Sequence, residues 1–188
     1  MRSGTHILID LLLNNFSAYR NSPLYVDLDV YLTNRLPKEK LFSCGTYVLK
    51  THFPQCQHDA SAVETIKELA SCSYIMQPTR PARSVYRSLK NFSYADDYDS
   101  LLKEKERFHE FWGPYHPHQF DFNDLTNQTA VMNILRSMSV VIDQEVPPSP
   151  IFPPSKTDFQ RVYFYKTLTR LIGKYSPVIN TTVQFSGS

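Results

Sequence analysis

Three short turns of the sequence carry side chains that could do chemistry together. The first, RSGTH at residues 2–6, sets Arg2 and small residues directly before an apolar run. A turn like this at a helix N-terminus offers free N–H groups and the positive end of the helix dipole, which favour a bound phosphate or sulfate. The same residues also suit an ordinary helix N-cap. The turn is therefore a candidate anion site that needs support from the rest of the chain.

The second and third turns each follow a predicted strand. In LKTHFP, Lys50 and His52 lie two residues apart, so an extended chain directs them to the same side. A histidine titrates near neutral pH and is suited to remove a proton from a hydroxyl.

In the third turn, TRPARSVYRS, Arg80 follows a predicted strand and Ser88 lies two helical turns into the following helix. A guanidinium and a hydroxyl together are suited to hold a phosphate group.

The elements that would position these turns alternate along the chain. The pattern predicts an opening helix to about residue 19, an irregular stretch to about 42 and a strand ending near Thr51. Further helices are predicted at 59–71, 82–92, 97–112, 123–143 and 158–175, and further strands at 72–80 and 118–122. The alternation favours one α/β domain over residues 1–188, with a parallel sheet covered by helices. Parallel sheets bind ligands at the carboxyl ends of their strands, where the second and third turns stand.

Bulk properties exclude several classes of protein. The formal net charge is +2 and Lys and Arg are interspersed with Asp and Glu, so we expect no nucleic-acid partner. No apolar stretch approaches the roughly 20 residues of a membrane span. Three cysteines fit no zinc or disulfide pattern and favour a reducing compartment, hence the cytoplasm: Cys44, Cys56 and Cys72. Four N-x-S/T sequons leave a lumenal location open: Asn15, Asn91, Asn127 and Asn180.

In this order, the three segments resemble the signature segments of the sulfotransferases, which use 3′-phosphoadenosine 5′-phosphosulfate (PAPS) as sulfuryl donor. RSGTH is similar to their 5′-phosphosulfate loop, KTHFP to the segment with the catalytic histidine of the cytosolic members, and TRPARSVYRS to their 3′-phosphate segment. The resemblance covers about residues 1–125. It implies a three-layer α/β fold, a parallel sheet flanked by helices, related to the P-loop NTPases.

The resemblance also implies a role for each candidate residue. His52 would be the general base, while Lys50 and Arg2 would stabilise the transferred sulfuryl group. The donor would be bound by Arg2, Ser3, Gly4, Thr5, His6, Arg80 and Ser88. Ser84 is the alternative to Ser88, because it lies one turn earlier on the same helix face. The implied reaction needs PAPS as co-substrate, a hydroxyl of a small molecule or carbohydrate as acceptor, and no metal.

The sequence departs from the family at both ends. Met1 stands where the family has a proline, and the strand that leads into the loop is missing. Either the chain lacks a preceding segment or another strand replaces it. The C-terminal segment that helps to bind the 3′-phosphate in cytosolic members is also missing. A non-catalytic relative with the same fold is therefore one alternative, and a small-molecule P-loop kinase is another, although the G-x-x-x-x-G-K-[ST] motif does not occur.

Residues 109–118 hold the remaining candidates. Aromatic residues around Trp112 and Tyr115 could line a pocket for the acceptor. His109, His116 and His118 are close in sequence, but no carboxylate or cysteine at ligand spacing completes a zinc site. We therefore predict no metal site here.

Overall fold

The computed structural model describes residues 4–20, 25–36, 41, 48–55, 58–91 and 97–152, together with Tyr163, Phe164, Thr167 and Thr169. Helices alternate with short strands. The first half contains α1 (Thr5–Asn15), α2 (Ser17–Arg20), β1 (Tyr25–Asp27), α3 (Leu28–Thr33), β2 (Val48–Lys50) and α4 (Ala60–Ser71). The second half contains β3 (Met76–Thr79), α5 (Ala82–Lys90), α6 (Tyr98–Trp112), a 3-10 turn (Gly113–Tyr115), β4 (His118–Asp121), α7 (Phe122–Leu125) and α8 (Gln128–Ile142).

Short capping side chains fix where several of these helices begin. Asp59 accepts a hydrogen bond from the Ala62 N–H at the start of α4, and Asp97 caps α6 in the same way. Asn127 accepts from two N–H groups at the start of α8. The helix predicted over residues 123–143 is therefore divided into α7 and α8 at Asn127.

The stretch between α2 and β2 corrects a sequence prediction. It was expected to be irregular, but it contains β1 and α3. β1 pairs in parallel with β2, with Tyr25 opposite Val48 and Asp27 opposite Lys50. A strand of three residues, all buried, shows no alternation of apolar and polar residues, which explains why the pattern did not indicate it. The helix predicted over residues 158–175 lies largely outside the described residues.

The α/β class is confirmed, and the described strands form two parallel pairs. β1 pairs with β2, and β3 pairs with β4, with Gln77 opposite Gln119. In the part of the chain that the structure describes, no strand joins the two pairs into one sheet. Each of the four described strands therefore has one described partner.

Two apolar clusters form the core. The first contains α1, β4 and α8, where Leu11 and Leu135 are fully buried. The second contains α3, α4 and the end of α6, with Tyr31, Ile66 and Trp112 inside. α1 is apolar on nearly all sides, as expected of a helix enclosed in a core. Residues of both clusters line one cavity of about 810 Å³.

Gly4 begins α1 in a conformation that favours glycine. Its φ of 101° lies in the left-handed region. A Cβ at this position would lie 2.9 Å from Phe122 and 3.2 Å from Leu125. The turn before α1 therefore packs closely against α7, and both the backbone angle and the close approach require glycine.

The described residues test two sequence features, a possible membrane span and the N-x-S/T sequons. None of its helices has the length and apolar character that a membrane crossing requires. Among the sequons, Asn15 is buried, and its side chain bonds the backbone of Ile151 through both its oxygen and its nitrogen. A glycan on Asn15 is incompatible with this packing.

Candidate functional site

The second and third candidate turns and the start of α1 meet at the 810 Å³ cavity. Lys50 and His52 line it from the end of β2, and Arg80 lines it from the end of β3. Thr5, the first residue of α1, forms another part of the wall. β2 and β3 belong to different parallel pairs, and the last residue of each lines the cavity.

Arg80 and the Gly4 turn contact the same aromatic ring. The guanidinium carbon of Arg80 lies 4.1 Å from the centroid of the Phe122 ring, within the range of a cation–π interaction. Phe122 is also the residue that a Cβ on Gly4 would meet. A second cation, Lys105 of α6, donates a hydrogen bond to the Arg80 carbonyl at 3.4 Å. Arg80, Lys105 and the first residue of α1, Thr5, therefore lie on the wall of the same cavity.

The cavity changes character along the strands. The carboxyl ends contribute polar side chains, namely Lys50, Thr51, His52, Thr79 and Arg80. The amino ends and the last turns of α8 contribute mainly apolar side chains, namely Val48, Ile75, Met76, Met138, Val141 and Ile142. One half of the cavity is suited to charged or hydrogen-bonding groups, and the other half to apolar ones.

Lys50 is held in a buried ion pair. Its Nζ lies 3.1 Å from Oδ2 of Asp27, and both side chains are only 2% exposed. The second oxygen of Asp27 accepts from the Val30 N–H and so caps α3. The sequence predicted Lys50 as a cation facing the transferred group. In this structure, Lys50 would have to share or leave Asp27 to reach an anion in the cavity.

His52 is held against a second carboxylate, Asp29. The Nδ1 of His52 lies 3.3 Å from Oδ2 of Asp29, and the His52 backbone N–H donates to the same oxygen at 2.7 Å. The Thr51 hydroxyl donates to Oδ1 at 2.7 Å, and Nε2 of His58 lies 3.3 Å from Oδ1. The His52 side chain is 31% exposed, so its ring remains open to the cavity that it lines.

These contacts shift two pKa values. Burial alone would raise the pKa of Asp29, but hydrogen bonds from His52 and Thr51 outweigh it and hold that pKa well below its usual range. Burial lowers the pKa of His52, and the hydrogen bond to Asp29 offsets this only in part. His52 is therefore neutral at neutral pH and can accept a proton.

The other predicted residues have different positions. Arg2 and Ser3 lie outside the described residues. His6 is in the first turn of α1, with its ring 5.7 Å from that of Tyr25. Ser84 and Ser88 are half-buried on α5 and are not part of the cavity wall, whereas Val85 is.

The aromatic candidates are divided in the same way. Trp112 lines the cavity, and its indole N–H donates to the Phe53 carbonyl at 2.8 Å. Phe108 and His109, on the same helix, also line it, but Tyr115 does not. Among the residues that the structure describes, no three His, Cys, Asp or Glu side chains are arranged to hold a metal ion.

Sequence reasoning missed the two carboxylates and the second histidine. Asp27 and Asp29 belong to YVDLD, in the stretch that the sequence pattern predicts to be irregular. The alternation of two aspartates after an apolar pair was the available signal, because it is typical of a strand end followed by a helix N-terminus. His58 gave no signal, since nothing near it in the sequence indicates its contact with Asp29.

No protein-family model matches the chain, and neither the curated proteins nor the solved structures contain a match to it.

Proposed function

We propose that this chain is a sulfotransferase that moves the sulfuryl group of PAPS to a hydroxyl of a small molecule or carbohydrate. One observation carries the proposal: the start of α1, the Lys50–His52 turn and Arg80 are far apart in sequence but line one cavity. A neutral histidine beside a cluster of cations and helix N–H groups is suited to transfer an anionic group to an alcohol. The order of the sequence motifs supports the same reaction.

In the proposed reaction, His52 removes the proton of the acceptor hydroxyl. The acceptor oxygen forms a bond to sulfur while the bond from sulfur to the bridging phosphate oxygen breaks. Adenosine 3′,5′-bisphosphate leaves with the bonding electrons, and the proton stays on His52, beside the Asp29 carboxylate. Negative charge grows on the leaving oxygen, where Arg2 and the N–H groups of residues 3–6 would stabilise it. No metal takes part in this scheme.

The proposal extends to the fold. The two parallel pairs would be halves of one three-layer sheet in a single P-loop-NTPase-like domain. The apolar half of the cavity would then be the position of a strand between β2 and β3. One observation supports this: β2 and β3 both line the cavity.

Calorimetry tests the nucleotide preference on the whole chain. We expect adenosine 3′,5′-bisphosphate to bind more tightly than ATP, because the Arg80 end of the cavity would contact the 3′-phosphate. Tighter binding of ATP would contradict the proposal and favour a small-molecule P-loop kinase. Absence of binding for both nucleotides would favour a relative that has kept only the fold.

Arg80→Ala should weaken binding of adenosine 3′,5′-bisphosphate by about 10-fold to 100-fold. The loss corresponds to one charge-assisted hydrogen bond, roughly 1.5–3 kcal/mol. Titration calorimetry measures the effect, with Arg83→Ala as the matched control, because Arg83 is exposed on α5 and is not part of the cavity wall.

A nucleotide without the 3′-phosphate separates a specific contact from general damage. AMP should bind the wild type and Arg80→Ala about equally. If Arg80→Ala weakens AMP as much as the bisphosphate, Arg80 is not a ligand of the 3′-phosphate.

The buried Lys50–Asp27 pair favours a second candidate, a nucleotide-binding protein without transferase activity. An ammonium that is 2% exposed and already paired would have to share or leave Asp27 before it could contact an anion in the cavity. Incubation with ³⁵S-labelled PAPS and a panel of phenols, sugars and amines distinguishes the two candidates. Labelled phenols or sugars support the transferase, while tight bisphosphate binding without labelled product supports the second candidate.

A further inference from the structure

Two histidines converge on the carboxylate of Asp29 from opposite oxygens. Nδ1 of His52 contacts Oδ2, and Nε2 of His58 contacts Oδ1, each at 3.3 Å. The Thr51 hydroxyl and the His52 backbone N–H complete the set at 2.7 Å. The proposed reaction uses only His52, so Asp29 and His58 have no role in it so far.

The chemistry of a carboxylate fixes the proton positions in this cluster. An ionised carboxylate only accepts hydrogen bonds, so both ring nitrogens that face Asp29 must carry hydrogen. In a neutral His52, a proton on Nδ1 leaves the lone pair on Nε2. Nε2 is then the only ring atom of His52 that can take a proton.

We propose that Asp29 is a positioning residue that holds His52 in the tautomer with a basic Nε2, and that His58 holds Asp29 in place from its other oxygen. The inference rests on the proposed function only in naming the group that Nε2 would deprotonate. Asp29 and His58 do not act on the substrate themselves. They act through His52.

The surroundings of His58 show a fixed rather than an incidental contact. Its side chain is 2% exposed, and its ring stacks on Phe53 with centroids 5.8 Å apart. The Phe53 N–H in turn donates to Oγ1 of Thr51 at 3.0 Å, and Thr51 donates to Asp29. Rotation of either histidine away from Asp29 would leave a mostly buried acceptor with fewer donors, which is unfavourable.

Charged groups around the cavity also act on His52. Asp29 favours the protonated ring, and Lys50 at the end of β2 disfavours it. Lys105 and His109 of α6 line the same cavity. Removal of the Asp29 charge removes the interaction that favours the protonated ring, so the pKa of His52 should fall further in an Asp29→Asn variant.

The first test reads the ring nitrogens directly. ¹⁵N spectra of histidine-labelled protein, followed through a pH titration, show which nitrogen carries hydrogen and at what pH the ring ionises. We expect the wild-type His52 to carry hydrogen on Nδ1. In Asp29→Asn, we expect a mixture of tautomers and ionisation at lower pH. An unchanged tautomer and an unchanged titration in Asp29→Asn would overturn the proposal, whether or not turnover falls.

The second test is kinetic. Asp29→Asn should lower kcat about 10-fold to 100-fold with little change in the KM for PAPS, as for other residues that orient a functional side chain. The acid limb of the pH profile should move to lower pH, which a purely structural defect would not cause. His58→Gln, which keeps an N–H donor, should preserve more activity than His58→Phe, which keeps only the ring packing. Equal loss in these two variants would overturn the role of His58.

The two tests separate this inference from the proposed function. One outcome is that the wild type transfers no sulfuryl group while His52 carries hydrogen on Nδ1 and loses this preference in Asp29→Asn. In that case the proposed function is wrong, and the positioning role of Asp29 is confirmed. If sulfuryl transfer is observed but the tautomer of His52 does not depend on Asp29, the positioning role of Asp29 is wrong and the proposed function is supported.

Discussion

His52→Ala lowers kcat for sulfuryl transfer by about 10²-fold to 10⁴-fold and leaves the affinity for adenosine 3′,5′-bisphosphate nearly unchanged, if His52 is the general base. The ring lines the cavity from the end of β2, and its burial keeps it neutral and ready to accept a proton. Alanine removes the base but keeps the backbone N–H that contacts Asp29. Single-turnover kinetics and calorimetry measure the chemical step and donor binding separately.

His109→Ala is the matched control, because His109 lines the same cavity from α6 but is exposed and has no contact with Asp29 among those described. It should retain most of the activity. Equal losses in the two variants would mean that His52 has no special part in proton transfer. A loss of bisphosphate affinity in His52→Ala would point to a binding role instead.

The sequence predicted those parts of the structure that local chemistry specifies. The strand before Lys50, the helix after Asp59 and the helix after Pro81 all occur near their expected positions, because capping residues and apolar spacing act within one element. The rule that parallel strands bind ligands at their carboxyl ends predicted Lys50, His52 and Arg80 near one another, and all three line the cavity although β2 and β3 belong to different strand pairs. It required no knowledge of side-chain packing.

The carboxylates beside these residues depend on contacts between distant segments. Asp27 meets Lys50, and Asp29 meets His52, only because β1 pairs in register with β2. The three residues of β1 are all buried, so no periodic pattern in the sequence indicates that register. The stacking of Arg80 on Phe122 likewise joins the end of β3 to the start of α7. Such pairings belong to the tertiary structure, so single segments of sequence do not indicate them.

The Asp27–Lys50 pair leads to the largest expected effect on stability. Asp27→Ala should lower the free energy of unfolding by about 3–5 kcal/mol, because it leaves the Lys50 ammonium buried without its partner. Asp27→Asn keeps an oxygen that can accept from the Val30 N–H and so retains the helix cap, worth about 1 kcal/mol, but its amide NH2 faces the Lys50 ammonium and leaves it unpaired. Urea denaturation measures each free energy.

The exposed pair between Glu64 and Lys67 is the matched control for the buried one. Its N–O distance of 2.7 Å is shorter than that of the buried pair, but the side chains are 65% and 46% exposed. Glu64→Ala should therefore change stability little, since water and salt screen an exposed pair.

Lys50→Met in the Asp27→Asn background should restore part of the lost stability, because the unpaired buried charge is gone. If Asp27→Ala costs no more than Glu64→Ala, the Lys50 ammonium does not depend on Asp27. It would then be free to contact an anion in the cavity, and the main observation in favour of a non-catalytic protein would be lost.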